Sequence, residues 1–351
     1  MLASFAGVAG EVSTPVLLQA WGHFTHRPGL TSRAFFPKGQ AAKVQLEDGP
    51  PPPLDSALSA RAAALLRETL VARFAELPPL GRVYVDPELA NHFVPFSQRS
   101  AGRTLRPITR GSRFDLPPGE GNTLRFFCWW RNMPGKTHAS RVDIDLSVTM
   151  FRDDWSLAGE VAFYNLRAKE GHHSGDITSA PEGACEFIDV SIPAMQNRKV
   201  RYVVPSLLSY TGQPFAEVRE CSGGWMRRKR PNSGEVFEPR TVIDKIDVTA
   251  PGRACVPVIF DLADRKAVWC DMGLKTAAQM TTASENRVGF TRIGRAITDL
   301  KKPTLRDLFA MHAEARGGPA DTPEEADTVF GVREGTVTAF DEDTVLSEYL
   351  A

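Results

Sequence analysis

Between Asp55 and Leu77 apolar residues recur at Leu58, Ala62, Leu65, Leu66, Leu70 and Phe74, while Arg61, Arg67, Glu68 and Arg73 fill the other positions. That three-and-four spacing predicts an amphipathic helix, which Pro78 and Pro79 stop. A shorter helix is expected from Thr14, read as its cap, with Pro15 as first helical residue and Val16, Leu17, Leu18, Trp21 and Phe24 along its apolar face. Between the two lie a strand-like Arg33-Ala34-Phe35-Phe36, the turn Pro37-Lys38-Gly39, and Gly49-Pro50-Pro51-Pro52-Pro53. Four successive prolines have no N–H to donate and a fixed φ, so this run reads as a stiff connector at a boundary.

Beyond Gly81 the period changes. Arg82-Val83-Tyr84-Val85, Thr123 to Trp130, Arg141 to Phe151, Glu160 to Asn165, Glu186 to Ile192 and Val200 to Leu208 read as strands. Val256 to Leu262 and Ala267 to Asp271, joined by Ala263-Asp264-Arg265-Lys266, read as a hairpin. Strands at this spacing, separated by turn residues, argue for a β-sandwich. Phe126, Phe127, Trp129 and Trp130 form an aromatic strand suited to packing between two sheets. After Gly273 the alternation fades, and Thr304, followed by Leu305, Leu308, Phe309 and His312, predicts a capped helix closed by Gly317-Gly318.

The chain therefore reads as mainly β, with an N-terminal α-helical and extended region and a C-terminal helix. The expected divisions are 1–53, helix and extended segment with the proline connector; 54–122, helix plus lead-in strands; 123–275, the sandwich; 276–318, a C-terminal helical region; and 319–351, a flexible acidic tail in which Val337, Phe340, Val345 and Leu346 are the residues able to dock.

Composition narrows the function classes. Forty-two basic residues balance 42 acidic ones, so no overall field draws the molecule to nucleic acid or to an anionic membrane. The one dense basic patch, Arg227-Arg228-Lys229-Arg230 after Trp225, sits beside Pro231-Asn232-Ser233-Gly234 and reads as a solvated hairpin tip, so nucleic acid is not an expected partner. No apolar stretch reaches the roughly 20 residues that span a bilayer, and the apolar start Met1 to Gly10 lacks a basic n-region and a cleavage pattern. The five cysteines, Cys128, Cys185, Cys221, Cys255 and Cys270, are scattered without a Cys-x-x-Cys pair. They read as small buried hydrophobes in a reducing compartment, and the cytosol is the expected location.

The chemistry concentrates in Arg141-Val142-Asp143-Ile144-Asp145-Leu146-Ser147. On a strand Asp143 and Asp145 share one face and Val142, Ile144 and Leu146 the other. Two carboxylates on one face repel each other and are favoured together when a hard cation such as Ca²⁺, which takes roughly six to eight oxygens, lies between them. The plain alternative is a pair of solvent-facing strand residues. An EF-hand reading fails, because counting from Asp143 puts Val148 where the loop requires glycine.

Read together with Val161-Ala162-Phe163-Tyr164-Asn165, His173-Ser174-Gly175-Asp176 and the run Glu182 to Val190, the order of motifs over roughly Leu124 to Gly273 resembles the tellurium-resistance TerD-like family, with Phe215-Ala216-Glu217-Val218 matching a later Phe-x-x-Val segment. The resemblance implies a TerD-like β-sandwich that binds calcium, in proteins linked to tellurite and general stress resistance. Carried over by position, Asp143, Asp145, Asn165, Asp176 and Glu186 are the candidate calcium ligands. The chain departs from the pattern before Glu186, where Glu182-Gly183-Ala184-Cys185 replaces a run of acidic residues, so fewer negative ligands and a weaker or single site are expected. The N-terminal part, with Phe36-Pro37-Lys38-Gly39, is similar to larger multidomain relatives and suggests a piece of a larger architecture.

Catalytic readings have little support in the sequence. His172 and His173 point to opposite sides of an extended backbone, short of the three or four ligands zinc needs. Pro134-Gly135-Lys136-Thr137 lacks the earlier glycine of a phosphate loop, because Trp130 stands there. No Gly-x-Ser-x-Gly elbow is present. The expectation is a non-enzymatic calcium-binding module that meets protein partners. The alternatives are a structural interaction domain with a vestigial metal site and, more remotely, a metal-dependent hydrolase.

Overall fold

The computed structural model describes residues 2–36, 44–96, 103–104, 108–116, 121–135, 137–234, 242–248, 250, 252–274 and 282–351. The expected turn at Pro37-Lys38-Gly39 and Lys136 lie outside the described residues.

Two six-stranded sheets face each other. One runs in the order β4 (Arg103–Thr104), β13 (Val242–Asp247), β12 (Cys221–Arg228), β6 (Thr123–Trp130), β10 (Ala184–Ser191), β9 (Gly171–His173). The other runs β5 (Arg113–Asp115), β15 (Lys266–Leu274), β14 (Ala254–Asp261), β11 (Tyr202–Ser209), β7 (Ile144–Phe151), β8 (Leu157–Val161). All the pairings in both sheets are antiparallel. Period-two alternation fixes the faces. Leu124, Phe126, Cys128 and Trp130 of β6 and Ile144, Leu146, Val148 and Met150 of β7 meet in one core between the sheets. Trp130 is fully buried and donates its indole N–H to the Val142 carbonyl at 3.0 Å, so its one polar atom is satisfied inside the sandwich. The β14–β15 hairpin turns where expected. The Asp261 carboxylate accepts the Ala263 and Asp264 amides at 3.1 Å each, and Arg265 takes a left-handed φ of 53°.

The helices form a second layer with its own core. α1 (Leu2–Ala6) precedes α2 (Thr14–His26), and α3 (Ser56–Phe74) follows a small hairpin of β1 (Ser32–Phe35) and β2 (Gln45–Asp48). Asp55 caps α3 by accepting the Leu58 amide at 2.8 Å. Thr14 is not the cap of α2. Ser13 occupies that position, and the Thr14 hydroxyl instead donates to the Ala351 carbonyl at 3.2 Å and accepts from Arg73 at 3.0 Å.

The largest departure from the sequence reading concerns Arg82 to Val85 and the tail. β3 (Gly81–Val85) does not lead into the sandwich. It pairs in parallel with β16 (Gly317–Pro319) and β17 (Thr328–Gly331), and β17 pairs in parallel with β18 (Val337–Thr338). Residues 319–351 are thus no flexible extension. Phe330, Val337, Val345, Tyr349 and Leu350 are buried against Leu66, Leu70 and Phe74 of α3 and Leu308 and Phe309 of α6 (Leu305–Arg316). α2, α3, β3, α6 and the strands after it accordingly contribute to one small α/β layer, and the sandwich is inserted between β3 and α6.

Short α4 (Ile192–Asn197) follows β10. α5 (Ala283–Thr298) is opened by a capping box between Thr282 and Glu285 and packs its Phe290, Ile293 and Ile297 on the outer face of the β7–β11–β14–β15 sheet. The Thr-x-x-Glu spacing that announces α5 was legible in the sequence, but only the later helix from Thr304 was expected. α6 starts as expected, with a Thr304–Asp307 capping box. Among the described residues no helix is long and apolar enough to cross a membrane.

A candidate metal centre at the edge of β7

Asp145 is the second residue of β7 and Asp143 immediately precedes the strand. Both side chains lie on the face opposite Ile144 and Leu146, as the alternation requires. Neither is a solvated strand residue, for each is only 3% exposed. The loop after β9 brings exposed Asp176 to them, and one carboxylate oxygen from each of Asp143, Asp145 and Asp176 lies within 4.8 Å of the other two.

Electrostatics show what this gathering costs. Burial pushes the Asp145 carboxyl up to about 8, with the charges of Asp143, Glu186 and Asp176 adding to it. Among the described residues its Oδ2 is buried without a hydrogen-bond partner. Asp143 is also raised, by burial first, and the Arg141 guanidinium opposes the shift through a 2.7 Å ion pair to Oδ2. The same Arg141 donates through Nε to the Thr178 carbonyl at 2.6 Å, tying the acidic strand to the loop beyond Asp176. Arg141 shares a face with Asp143 and Asp145 by the same period of two, a signal present in the sequence.

Glu186 is not one of that group of carboxylates, and Asn165 lies in the turn that follows β8. Glu186 is fully buried on the inner face of β10, and both of its oxygens are occupied. Oε2 accepts the Leu146 amide at 3.2 Å and Oε1 the Ile177 amide at 2.9 Å. Asn165 is exposed in the turn after β8, not on a strand, and donates its side-chain amide to the Glu160 carbonyl at 2.7 Å. His172 and His173 do face opposite ways. His172 is half-exposed with Nε2 3.8 Å from Asp189, while His173 is enclosed with Nε2 3.4 Å from Glu186.

The basic run is not a solvated tip throughout. Arg228 is fully buried and donates to the Arg230 carbonyl at 3.1 Å and the Ser233 hydroxyl at 2.9 Å, and Arg227 donates to the Gly121 carbonyl at 2.7 Å. These guanidiniums hold the end of β12 to neighbouring backbone, which a charge count cannot reveal.

The donor set of the aspartate cluster is all oxygen and all carboxylate, which suits a hard cation such as Ca²⁺ and not a soft metal. The buried orphan oxygen of Asp145 is the group such an ion would satisfy.

No family model matches this chain, and no curated protein matches it. Among the solved structures that match, two are similar over about half of it. One, a homologue of telluride resistance protein (TerD) from Streptomyces coelicolor A3(2), is 10% identical, covers 47% of this chain and 98% of its own, and superposes with a TM-score of 0.38. The other, a protein of unknown function, is 15% identical, covers 46% of this chain and 96% of its own, with a TM-score of 0.33. These likenesses are too remote to assign the chain to a family.

Proposed function

We propose that this protein is a non-enzymatic, TerD-like calcium-binding module that works by presenting a surface to protein partners in a cytosolic stress-response system. One observation carries the calcium reading: the Oδ2 of Asp145 is buried without a partner beside two further carboxylates. An unsatisfied buried acceptor surrounded by like charge is unfavourable, and a divalent cation removes both penalties at once. Asp143, Asp145 and Asp176 would hold the ion, with backbone carbonyls and water completing its oxygen shell. Calcium supplies charge compensation there. The chain's own contribution is to keep Asp143 and Asp145 rigid on a strand while Asp176 arrives on a loop, so that a bound ion would tie that loop to the strand through a further link.

The absence of an acidic run before Glu186 fits a single site of modest affinity. A binding role also suits the thiols: burial pushes Cys128, Cys255 and Cys270 well above the usual range and Cys185 up to about 12, which leaves them poor nucleophiles.

Thermal unfolding in excess EDTA and in millimolar calcium, beside the double variant Asp143→Ala/Asp145→Ala, tests the proposal. Calcium at about 100 times its Kd adds roughly 2.7 kcal/mol to the wild type if only the folded state binds. A rise in Tm that the double variant abolishes is the expected result. No rise in the wild type moves the reading to a structural interaction domain with a vestigial site, and turnover that depends on added zinc moves it to a hydrolase.

A further inference from the structure

β8 pairs with β7 only from Val148 onward, so among the described residues the Leu146 N–H and C=O on that side of β7 have no strand partner. Two side chains from the opposite sheet take the place of the missing ladder. The Glu186 carboxylate accepts the Leu146 amide at 3.2 Å, and His173 Nε2 lies 3.2 Å from the Leu146 carbonyl. The same two residues hold the loop that follows β9. His173 Nδ1 accepts the Gly175 amide at 3.0 Å, which fixes the ring as the Nε2–H tautomer that donates to Leu146, and Glu186 Oε1 accepts the Ile177 amide at 2.9 Å. Asp176 is the residue between those two anchored amides. Gly175 itself has a φ of 124°, a conformation that side chains rarely adopt, so the bend bringing Asp176 round depends on glycine.

We infer that Glu186 and His173 are positioning residues of the aspartate centre and not ligands in it: together they clamp residues 175–177 to the edge of β7, and so place the Asp176 carboxylate against Asp143 and Asp145. The inference rests on the calcium reading for its purpose but not for its geometry. Each oxygen of Glu186 already accepts a backbone N–H, and turning either toward an ion would release an amide in a site where Glu186 has no exposure. His173 is enclosed as fully, and both of its nitrogens are used. Residues that orient metal ligands through hydrogen bonds typically change affinity about 10–100-fold when altered, without changing how many ligands the ion has.

Two measurements on the full chain test this. Terbium, a luminescent stand-in for calcium, is titrated into wild type, Glu186→Gln, His173→Gln and Asp176→Asn, and luminescence lifetimes in H₂O and D₂O count the waters on the bound ion. In parallel, amide hydrogen exchange at Leu146, Gly175 and Ile177 is followed in the metal-free proteins.

Glu186→Gln and His173→Gln should weaken terbium binding about tenfold or more at an unchanged water count, and should speed exchange at the clamped amides. Asp176→Asn should weaken binding while leaving exchange at Leu146 slow. An extra water on the ion in Glu186→Gln would make Glu186 a ligand and overturn the inference. Unchanged exchange in both clamp variants would overturn it too. If wild-type protein binds no terbium, the calcium reading falls, whereas the clamp itself stands or falls on the exchange rates.

Discussion

The imidazole of His312 on α6 lies face to face with the ring of Phe74 on α3, centroids 3.7 Å apart and planes 18° from parallel. Nε2 of His312 is 3.0 Å from the Tyr349 carbonyl and Nδ1 is 3.2 Å from the Arg316 guanidinium. The ring thus joins the helix after the proline connector, the helix after the sandwich and the end of the tail. Arg316 can only donate, so Nδ1 accepts, and the stack requires the neutral ring with its proton on Nε2.

Acid should therefore loosen this layer. Burial, with Arg316 adding to it and the Tyr349 carbonyl opposing, lowers the His312 pKa to about 4, below the unfolded value near 6.5. A depressed histidine contributes stability that is fully present above pH 6.5 and is lost as pH falls from there toward 4. Between pH 7 and 4.5 the loss is about 2 kcal/mol. Urea unfolding of wild type and His312→Gln at both pH values checks it. The gap between the two proteins should shrink at the lower pH, and an unchanged gap would place the acid sensitivity elsewhere, with buried His92, also lowered to about 4, the first alternative.

The aspartate centre predicts the opposite pH dependence. Asp145 has a folded pKa raised to about 8, so in metal-free protein its contribution is fully present below about pH 4 and is lost as pH rises through 8. In EDTA at pH 8.5, Asp145→Asn should be more stable than wild type by several kcal/mol, while binding calcium more weakly. Equal stability of the two proteins in EDTA at that pH would show that the buried carboxylate carries no strain.

A buried pair on the outer face of the first sheet should be costly to break from one side. Arg125 Nε and Nη2 meet the two oxygens of Asp189 at 2.6 and 2.7 Å, and the guanidinium carbon lies 3.8 Å from the centre of the Phe187 ring. The side chains of Arg125 and Asp189 are 2% and 3% exposed. Removing one charge strands the other, so Arg125→Met and Asp189→Leu should each cost about 3–5 kcal/mol. The double variant should lose much less than their sum, which a denaturation cycle would measure.

Gly294 should resist substitution despite lying in a helix. A Cβ there would sit 2.0 Å from the Trp155 indole, which stacks on Tyr202 with centroids 4.2 Å apart. Helix propensity favours alanine by about 1 kcal/mol, whereas overpacking typically costs about 1–3 kcal/mol. Gly294→Ala should therefore lower Tm and shift the tryptophan fluorescence, and a raised Tm would show that α5 can move away without loss.

The sequence by itself determined what is local. The period of two in β7 sorted Asp143 and Asp145 from Ile144 and Leu146, because alternate side chains of a strand must face opposite ways, whereas of the four β6 aromatics expected between the sheets only Phe126 and Trp130 lie in that core. Thr304 announced its helix because a capping side chain acts within one turn. Asp176 was within reach of the sequence only through the resemblance of its motif, and the structure does bring it to the other two aspartates.

Only the tertiary structure decided which edge meets which. Gly81–Val85 has the pattern of any short strand, and its parallel partners follow the sandwich in the chain, so the return of residues 317–351 to residues 56–85 rests on apolar contacts between segments far apart in sequence. Glu186 shows the same limit at one residue. Its acidity suggested a ligand, but its task in the fold was set by the place where β8 stops pairing with β7, because the free edge there needs acceptors and donors that local sequence does not reveal.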